Sequence, residues 1–163
     1  MSETPQPIYE RIDSRAGLEA GVDRILPLAG QQILVFAGSL GPAWNQLSRV
    51  SILRRFCLDA RRGKIRILLH DPRPAYGECP RLLALLRQFS HLMEVHETPY
   101  QAKAVYDPFV ITDHRHYVHR FHFSQGLGVL GINEPVGAQA LFDRFEAMWL
   151  ESDQAVSATT LGL

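Results

Sequence analysis

Four of the seven histidines in this chain crowd into nine residues: His114, His116, His119 and His122. They lie in the stretch Ala104 to Phe123, AVYDPFVITDHRHYVHRFHF, which reads as two strands joined by a polar turn, Asp113-His114-Arg115. Imidazole changes charge near neutral pH and can act as base, nucleophile or metal ligand. Side chains alternate along a strand, so His114, His116 and His122 are expected on one face with Arg120. His119 is expected on the other, with Tyr117 and Phe121. Three imidazoles beside Asp113 offer the donor types that zinc takes, although an arginine on the same face opposes a cation. A second chemistry is phosphoryl transfer, with His119 or His122 attacking and Lys103 or Arg120 on the phosphate. An exposed histidine-rich strand and turn with neither chemistry accounts for the same residues.

Further candidates lie upstream. Eight basic residues run from Arg49 to Arg73 against only Asp59 and Asp71. Arg54 and Arg55 head a phosphate-contacting surface on this reading, and solvated arginines on an amphipathic helix are the alternative. Few aromatics interleave with them, so stacking on bases is not signalled. His70-Asp71 ends a strand, where an acid/base pair would meet a ligand crevice, or where Asp71 merely stops the strand before Pro72. Ala37-Gly-Ser-Leu-Gly-Pro42 follows a strand and could turn backbone N–H groups to an anion, but no G-K-[ST] follows it. Cys57 and Cys79 form no C-x-x-C pair and read as structural, and Trp44 and Trp149 as core residues.

The 163 residues are enough for one domain with a core of its own. Formal net charge is zero, so no global field draws the chain to nucleic acid or a membrane. Two cysteines make no disulfide framework, which fits a reducing, cytoplasmic setting. The first residues, MSETPQPIYE, carry neither the basic nor the apolar region of a signal peptide, and no apolar run approaches the ~20 residues of a membrane span.

The elements that must position these residues alternate along the chain. Residues 1–13 read as a flexible tail. Ser14 caps a helix to Leu26 that presents Leu18, Val22 and Ile25. The apolar run Ile33 to Ala37 is a strand covered on both faces. A helix follows from Asn45 to Arg62 and ends at Gly63. Lys64 to His70 is a strand, Pro80 opens a helix to Gln88, and Leu92 to Glu97 is a strand. Strands at 104–112, 117–123 and 127–132 follow, and a closing helix covers Pro135 to Leu150. The domain spans 14–153, with a flexible tail at 154–163. Alternation followed by a run of strands implies a mixed α/β sheet with helices on both faces.

Three segments in this order resemble the phospholipase D-like superfamily, at the scale of one half-site. Leu58-Asp-Ala-Arg-Arg-Gly63 with Lys-Ile-Arg-Ile-Leu-Leu69 is similar to its helix-to-strand junction. Tyr106-Asp-Pro-Phe-Val-Ile-Thr-Asp113 has the length and apolar strand of its H-x-K-x-x-x-x-D signature. Phe142-Asp-Arg-Phe-Glu-Ala-Met-Trp149 looks like its closing helix. The likeness runs over about residues 16 to 151. It implies the fold. In the family the histidine forms a phosphohistidine, the lysine binds phosphate and the aspartate orients a histidine. Here Tyr106 stands at the histidine position and Pro108 at the lysine position, and only Asp113 keeps its type. The G-S-x-N that follows in the family would fall on Arg120, Phe121, His122 and Phe123, and all of it is missing. A phenol with an ordinary pKa near ~10 is a poor nucleophile at neutral pH without a base. The resemblance thus implies a non-catalytic domain that binds a phosphate-bearing ligand or a protein partner. Arg54, Arg55, His70, Lys103 and Arg120 are its candidate contacts, with no cofactor required. Nucleic acid is a weaker candidate ligand. Small single-copy members pair two half-sites, so the resemblance also implies a homodimer. A phosphodiesterase built on His119 or His122, and a metal module built on His114, His116 and His122, are the alternatives.

Overall fold

The computed structural model describes residues 6–59 and 63–156. Eight strands form a single sheet in the order β1-β7-β6-β5-β2-β3-β4-β8. Here β1 is Ile8–Ile12, β2 is Gln32–Ala37, β3 is Lys64–Leu69 and β4 is Met93–Glu97. The others are β5, Phe109–Thr112; β6, His116–Arg120; β7, Gly128–Ile132; and β8, Asp153–Val156. β2, β3 and β4 run parallel, and every other neighbouring pair is antiparallel. This is the mixed sheet that the alternation of elements predicts.

The helices are α1, Arg15–Ile25; α2, Leu47–Asp59; α3, Pro74–Glu78; α4, Pro80–Gln88; and α5, Pro135–Leu150. One face of the sheet packs Val35, Ile67 and Val118 against α1, α2 and α4, through Val22, Leu53 and Leu86. The other packs Leu34, Phe36, Phe109 and Tyr117 against α5, through Leu141 and Phe145. The continuous apolar run of β2 is explained by these two covers: each alternate side chain meets a different layer. Ser14 caps α1 by accepting from the Gly17 N–H at 2.9 Å. Pro80 opens α4, whose Leu82, Leu83, Leu85 and Leu86 are all buried.

Several expectations need correction. The stretch read as an N-terminal tail holds β1, an edge strand in antiparallel register with β7. Its middle residues are exposed and only Ile8 and Ile12 reach the core, so its apolar signal is faint. β8 begins at Asp153, where fraying was expected, and pairs with β4. Residues 1–5 and the end of the C-terminal stretch lie outside the described residues, as do Arg61 and Arg62. The strand expected from Ala104 starts only at Phe109, after a short 3-10 turn over Tyr100–Ala102. The loop before Pro80 contains α3, and a 3-10 turn over Pro42–Asn45 precedes α2.

The turn between β5 and β6 breaks the expected alternation of the histidines. Asp113 and His114 both take the left-handed backbone region, at φ 53° and 56°, and the Arg115 N–H closes the turn on the Thr112 carbonyl at 3.1 Å. A chain passing through two left-handed residues no longer alternates like a strand. The His114 ring lies on Phe142 of α5, with centroids 3.8 Å apart. His116 is buried and its Nδ1 accepts from the Asn133 N–H at 3.0 Å. The three histidines expected on one face therefore do not converge. Among the described residues no group of three His, Cys, Asp or Glu side chains could hold a metal ion.

Candidate functional site

The chain reverses direction between β2 and β5 and again between β5 and β6. The carboxyl ends of β2 and β6 therefore lie beside the start of β5. A cleft of about 560 Å³ opens there. Val35 and Ala37 of β2, Phe109 and Val110 of β5 and Val118 of β6 form its floor. Leu18 and Val22 of α1 form one wall, and the Gly38 to Trp44 turn forms another. The Gly38 turn, read from sequence as a possible anion cradle, thus borders the cleft. Small-molecule sites commonly enclose ~300–1,000 Å³ and are mostly apolar with a few placed polar groups.

Two ionisable side chains line this cleft, Glu19 and Arg120. The Glu19 carboxylate accepts from Arg49 Nη2 at 2.7 Å. Arg49 is 1 % exposed, also donates to Asp23 at 2.9 Å, and lies over the Trp44 ring at 4.7 Å. This cluster braces the wall formed by Trp44. Arg120 Nε donates to the Gln125 carbonyl at 2.6 Å and its Nη2 to the Phe123 carbonyl. Burial, and then the nearby Arg15 cation, draw its pKa below the ordinary arginine value, while Glu19 opposes them.

Pro108 lines the cleft; Tyr106 is 52 % exposed, with its ring 5.5 Å from that of His122. Asp113 stands at the other end of β5, where its carboxylate accepts from the N–H groups of Gly30, Gln31 and Gln32 at 2.8 to 2.9 Å. It is a backbone cap for the entry to β2 and orients no histidine.

His119 points to the α5 face. Its Nε2 donates to Asp107 Oδ2 at 2.8 Å, and Arg144 of α5 donates to both oxygens of Asp107 at 2.7 Å. Burial would raise the Asp107 carboxyl, but the hydrogen bonds from Arg144 and His119 outweigh it and hold the group below its ordinary value. Asp107 and Arg144 were not singled out from sequence. A single aspartate between an aromatic and a proline, and an arginine on a helix, carry no spacing signal. His119 Nδ1 takes no partner among the described residues.

The remaining candidates disperse. His70 Nε2 donates to the Val105 carbonyl at 2.7 Å and its Nδ1 meets the Thr98 hydroxyl at 2.6 Å. Asp71 turns away to Arg73, whose hydrogen bonds hold its carboxyl at about 2. Lys103 Nζ donates to the His70 carbonyl and to Glu97, at 2.6 and 3.0 Å. His122 Nδ1 accepts from the Ser124 N–H at 3.1 Å. Arg54 donates to Gln88 of α4, and Arg55 lines a second cavity of about 220 Å³ near Gly30. Arg66 pairs with Glu146, and Lys64 donates to the His91 carbonyl. Of the five expected ligand contacts, the cleft receives Arg120 alone.

The family model for a domain of unknown function, DUF7931, matches residues 15–161, nearly the whole chain. The chain belongs to DUF7931. No curated protein matches its sequence. Among solved structures, this DUF7931 chain is similar to Nuc from Salmonella typhimurium, a phospholipase D family member. The TM-score is 0.65 at 14% identity, over 93% of this chain and 100% of that one. NucT from Helicobacter pylori gives 0.63 at 9%, over 92% and 100%. TrmBL2, an archaeal chromatin protein with a novel mode of DNA binding, gives 0.64 at 11%, over 94% of this chain. The chain spans 56% of TrmBL2's length. At such identities the likeness concerns the fold alone, and the fold is phospholipase D-like. No helix among the described residues is long and apolar enough to cross a membrane.

Proposed function

We propose that this DUF7931 chain is a non-catalytic phospholipase D-like domain that binds a small ligand in the cleft between α1, the Gly38 to Trp44 turn and the sheet. One observation carries the reading. The strand expected to bring a histidine and a lysine to the site puts the ring of Pro108 in the cleft wall and leaves Tyr106 half in solvent. A pyrrolidine can neither attack phosphorus nor balance its charge. The cavity itself has the volume and apolar lining of a ligand site. Two measurements test it. Bis-p-nitrophenyl phosphate should stay uncleaved above the buffer rate. The neutral dye N-phenyl-1-naphthylamine should bind and lose its binding in Ala43→Trp, which fills the cleft from its wall. No dye binding, or hydrolysis that His119→Ala or His122→Ala removes, would overturn the proposal.

The hydrolytic reading draws on the 2.8 Å contact between Asp107 and His119, the pairing by which a carboxylate orients a catalytic imidazole. Neither residue lines either of the two cavities described above. Arg144 has already matched the aspartate's charge. The dyad suits a clamp between β5, β6 and α5 better than a reaction.

Homodimer formation belongs to the same proposal. Tyr76, Tyr100, Tyr106 and Phe121 are exposed and all leave the sheet at the end where the cleft opens. Sedimentation should give a dimer that Tyr106→Glu with Phe121→Glu dissociates; an unchanged monomer removes this part. DNA binding, described for TrmBL2, finds less support. Arg49, Arg66 and Arg73, three of the eight basic residues between Arg49 and Arg73, pair with carboxylates and are not free for phosphates.

A further inference from the structure

We infer that the cleft takes an amphipathic organic anion: a compact apolar body with a single negative head group that docks on Arg120. The inference rests on the cleft being a binding site, as proposed above, and adds the chemistry of its occupant.

The charges in the cleft are unequal in their partners. Arg49 is shared by Glu19 and Asp23, so that wall keeps one surplus negative charge, which Arg120 and Arg15 together outnumber. Arg120 has no carboxylate partner among the described residues; both of its hydrogen bonds go to backbone carbonyls. Carbonyls satisfy N–H groups but leave the guanidinium's full charge in place. Nη1 takes no partner among the described residues and is not a buried orphan, so it remains free to donate. The neighbouring Arg15 donates to the Ser124 carbonyl at 3.3 Å and likewise pairs with no carboxylate. Two cations thus hold the loop from Phe121 to Leu127, and the one in the cleft keeps a free donor.

The cleft that Arg120 lines is otherwise largely apolar, with Val22, Val35, Trp44, Val110 and Val118 in its lining. A neutral apolar ligand would cover Arg120 without compensating its charge, which is costly. A polyphosphate or nucleic-acid strand would bring several charges to one free donor and would not fill the apolar floor. A ligand with one carboxylate, sulfonate or phosphomonoester on a ring system or short acyl chain meets both demands. Charge-assisted hydrogen bonds to arginine supply the selectivity.

Two dyes with one ring skeleton test this. 8-Anilinonaphthalene-1-sulfonate carries the anionic head; N-phenyl-1-naphthylamine lacks it. Titration of the folded protein at low salt should give about tenfold tighter binding of the sulfonate, the scale of one charge-assisted hydrogen bond. Arg120→Gln should bring the two dyes level. Because Arg120 also holds the loop, Arg120→Lys is the control. It loses the fork but keeps the charge and should retain most of the preference. Ala43→Trp should block both dyes. Equal binding of both dyes to the native chain would overturn the anion assignment while leaving the cleft as a ligand site. If neither dye binds, the site itself falls. A preference that survives Arg120→Gln would also overturn the inference.

Discussion

Asp113 has two physical constraints at one position. Its backbone lies at φ 53°, which aspartate and asparagine tolerate better than most residues. Its carboxylate gathers three N–H groups at the start of β2. Asp113→Ala should cost about 2–3 kcal/mol, combining lost hydrogen bonds with left-handed strain. Asp113→Gly loses the same bonds but not the backbone fit, so it should be less damaging by about 1 kcal/mol. Urea unfolding of the two variants separates the contributions; identical midpoints would show that strain plays no part. His116 supplies a pH dependence. Burial first, and then Arg115, depress its pKa below 6.5, while Asp113 opposes them. A depressed histidine favours folding above its unfolded value and loses that contribution as pH falls toward its folded value. Melting temperature should therefore decline as pH drops below about 6.5, and His116→Gln should decline less over the same range. A parallel decline in both would clear His116.

At the scale of elements, the contact between β6, β7 and α5 depends on two glycines. Tyr117 of β6 reaches across β7 to bond Glu134, at the entry to α5. A methyl at Gly131 would collide with the Tyr117 ring, and one at Gly137 with its hydroxyl. Gly131→Ala should destabilise by about 1–3 kcal/mol, the usual range for overpacking. Combining it with Tyr117→Leu should recover part of that loss, as a double-mutant cycle in urea would read; strict additivity would refute the collision. The long periodic elements here were legible in advance. α1, α4 and α5 carry their caps, prolines and apolar faces openly, and β2 and β3 are unbroken apolar runs. β1 and β8 were not, because an edge strand buries too few residues to show a period. The candidate site was less legible than the fold. Arg120, the Gly38 turn and the Pro108 substitution can be seen in sequence. The cleft they share comes from strand reversal at β5, which no local pattern encodes. His114 departs from the alternation because the turn spends two left-handed residues before β6 begins.

At the scale of the whole molecule, the sheet has a parallel half covered by α2 and α4 and an antiparallel half whose outermost strand is β1. Removing residues 1–12 tests how far the antiparallel half depends on that edge. β1 completes the hydrogen bonding of β7 from Gly128 to Ile132, and it sets Ile8 and Ile12 against the core that α1 covers. The Ile12 side chain also approaches the space beside Gly17 and Gly21 of α1. The truncated chain should therefore lose its hold on α1 as well as one strand, and α1 is the first wall of the cleft. Ile8 and Ile12 are partly buried, so together they contribute about 1.5–3 kcal/mol, roughly half of what complete burial would give, against the 5–15 kcal/mol of a typical domain. A bare β7 edge would also be open to pairing between molecules. The expected result is a melting temperature lower by roughly five to ten degrees, with concentration-dependent association and weakened dye binding in the cleft. Ile12→Ala should reproduce the weaker cleft binding without the association, since β1 still covers the edge. If the truncated chain melts and binds as the full chain does, β1 is an ornament, and the cleft wall is held by α2 and the Trp44 turn alone.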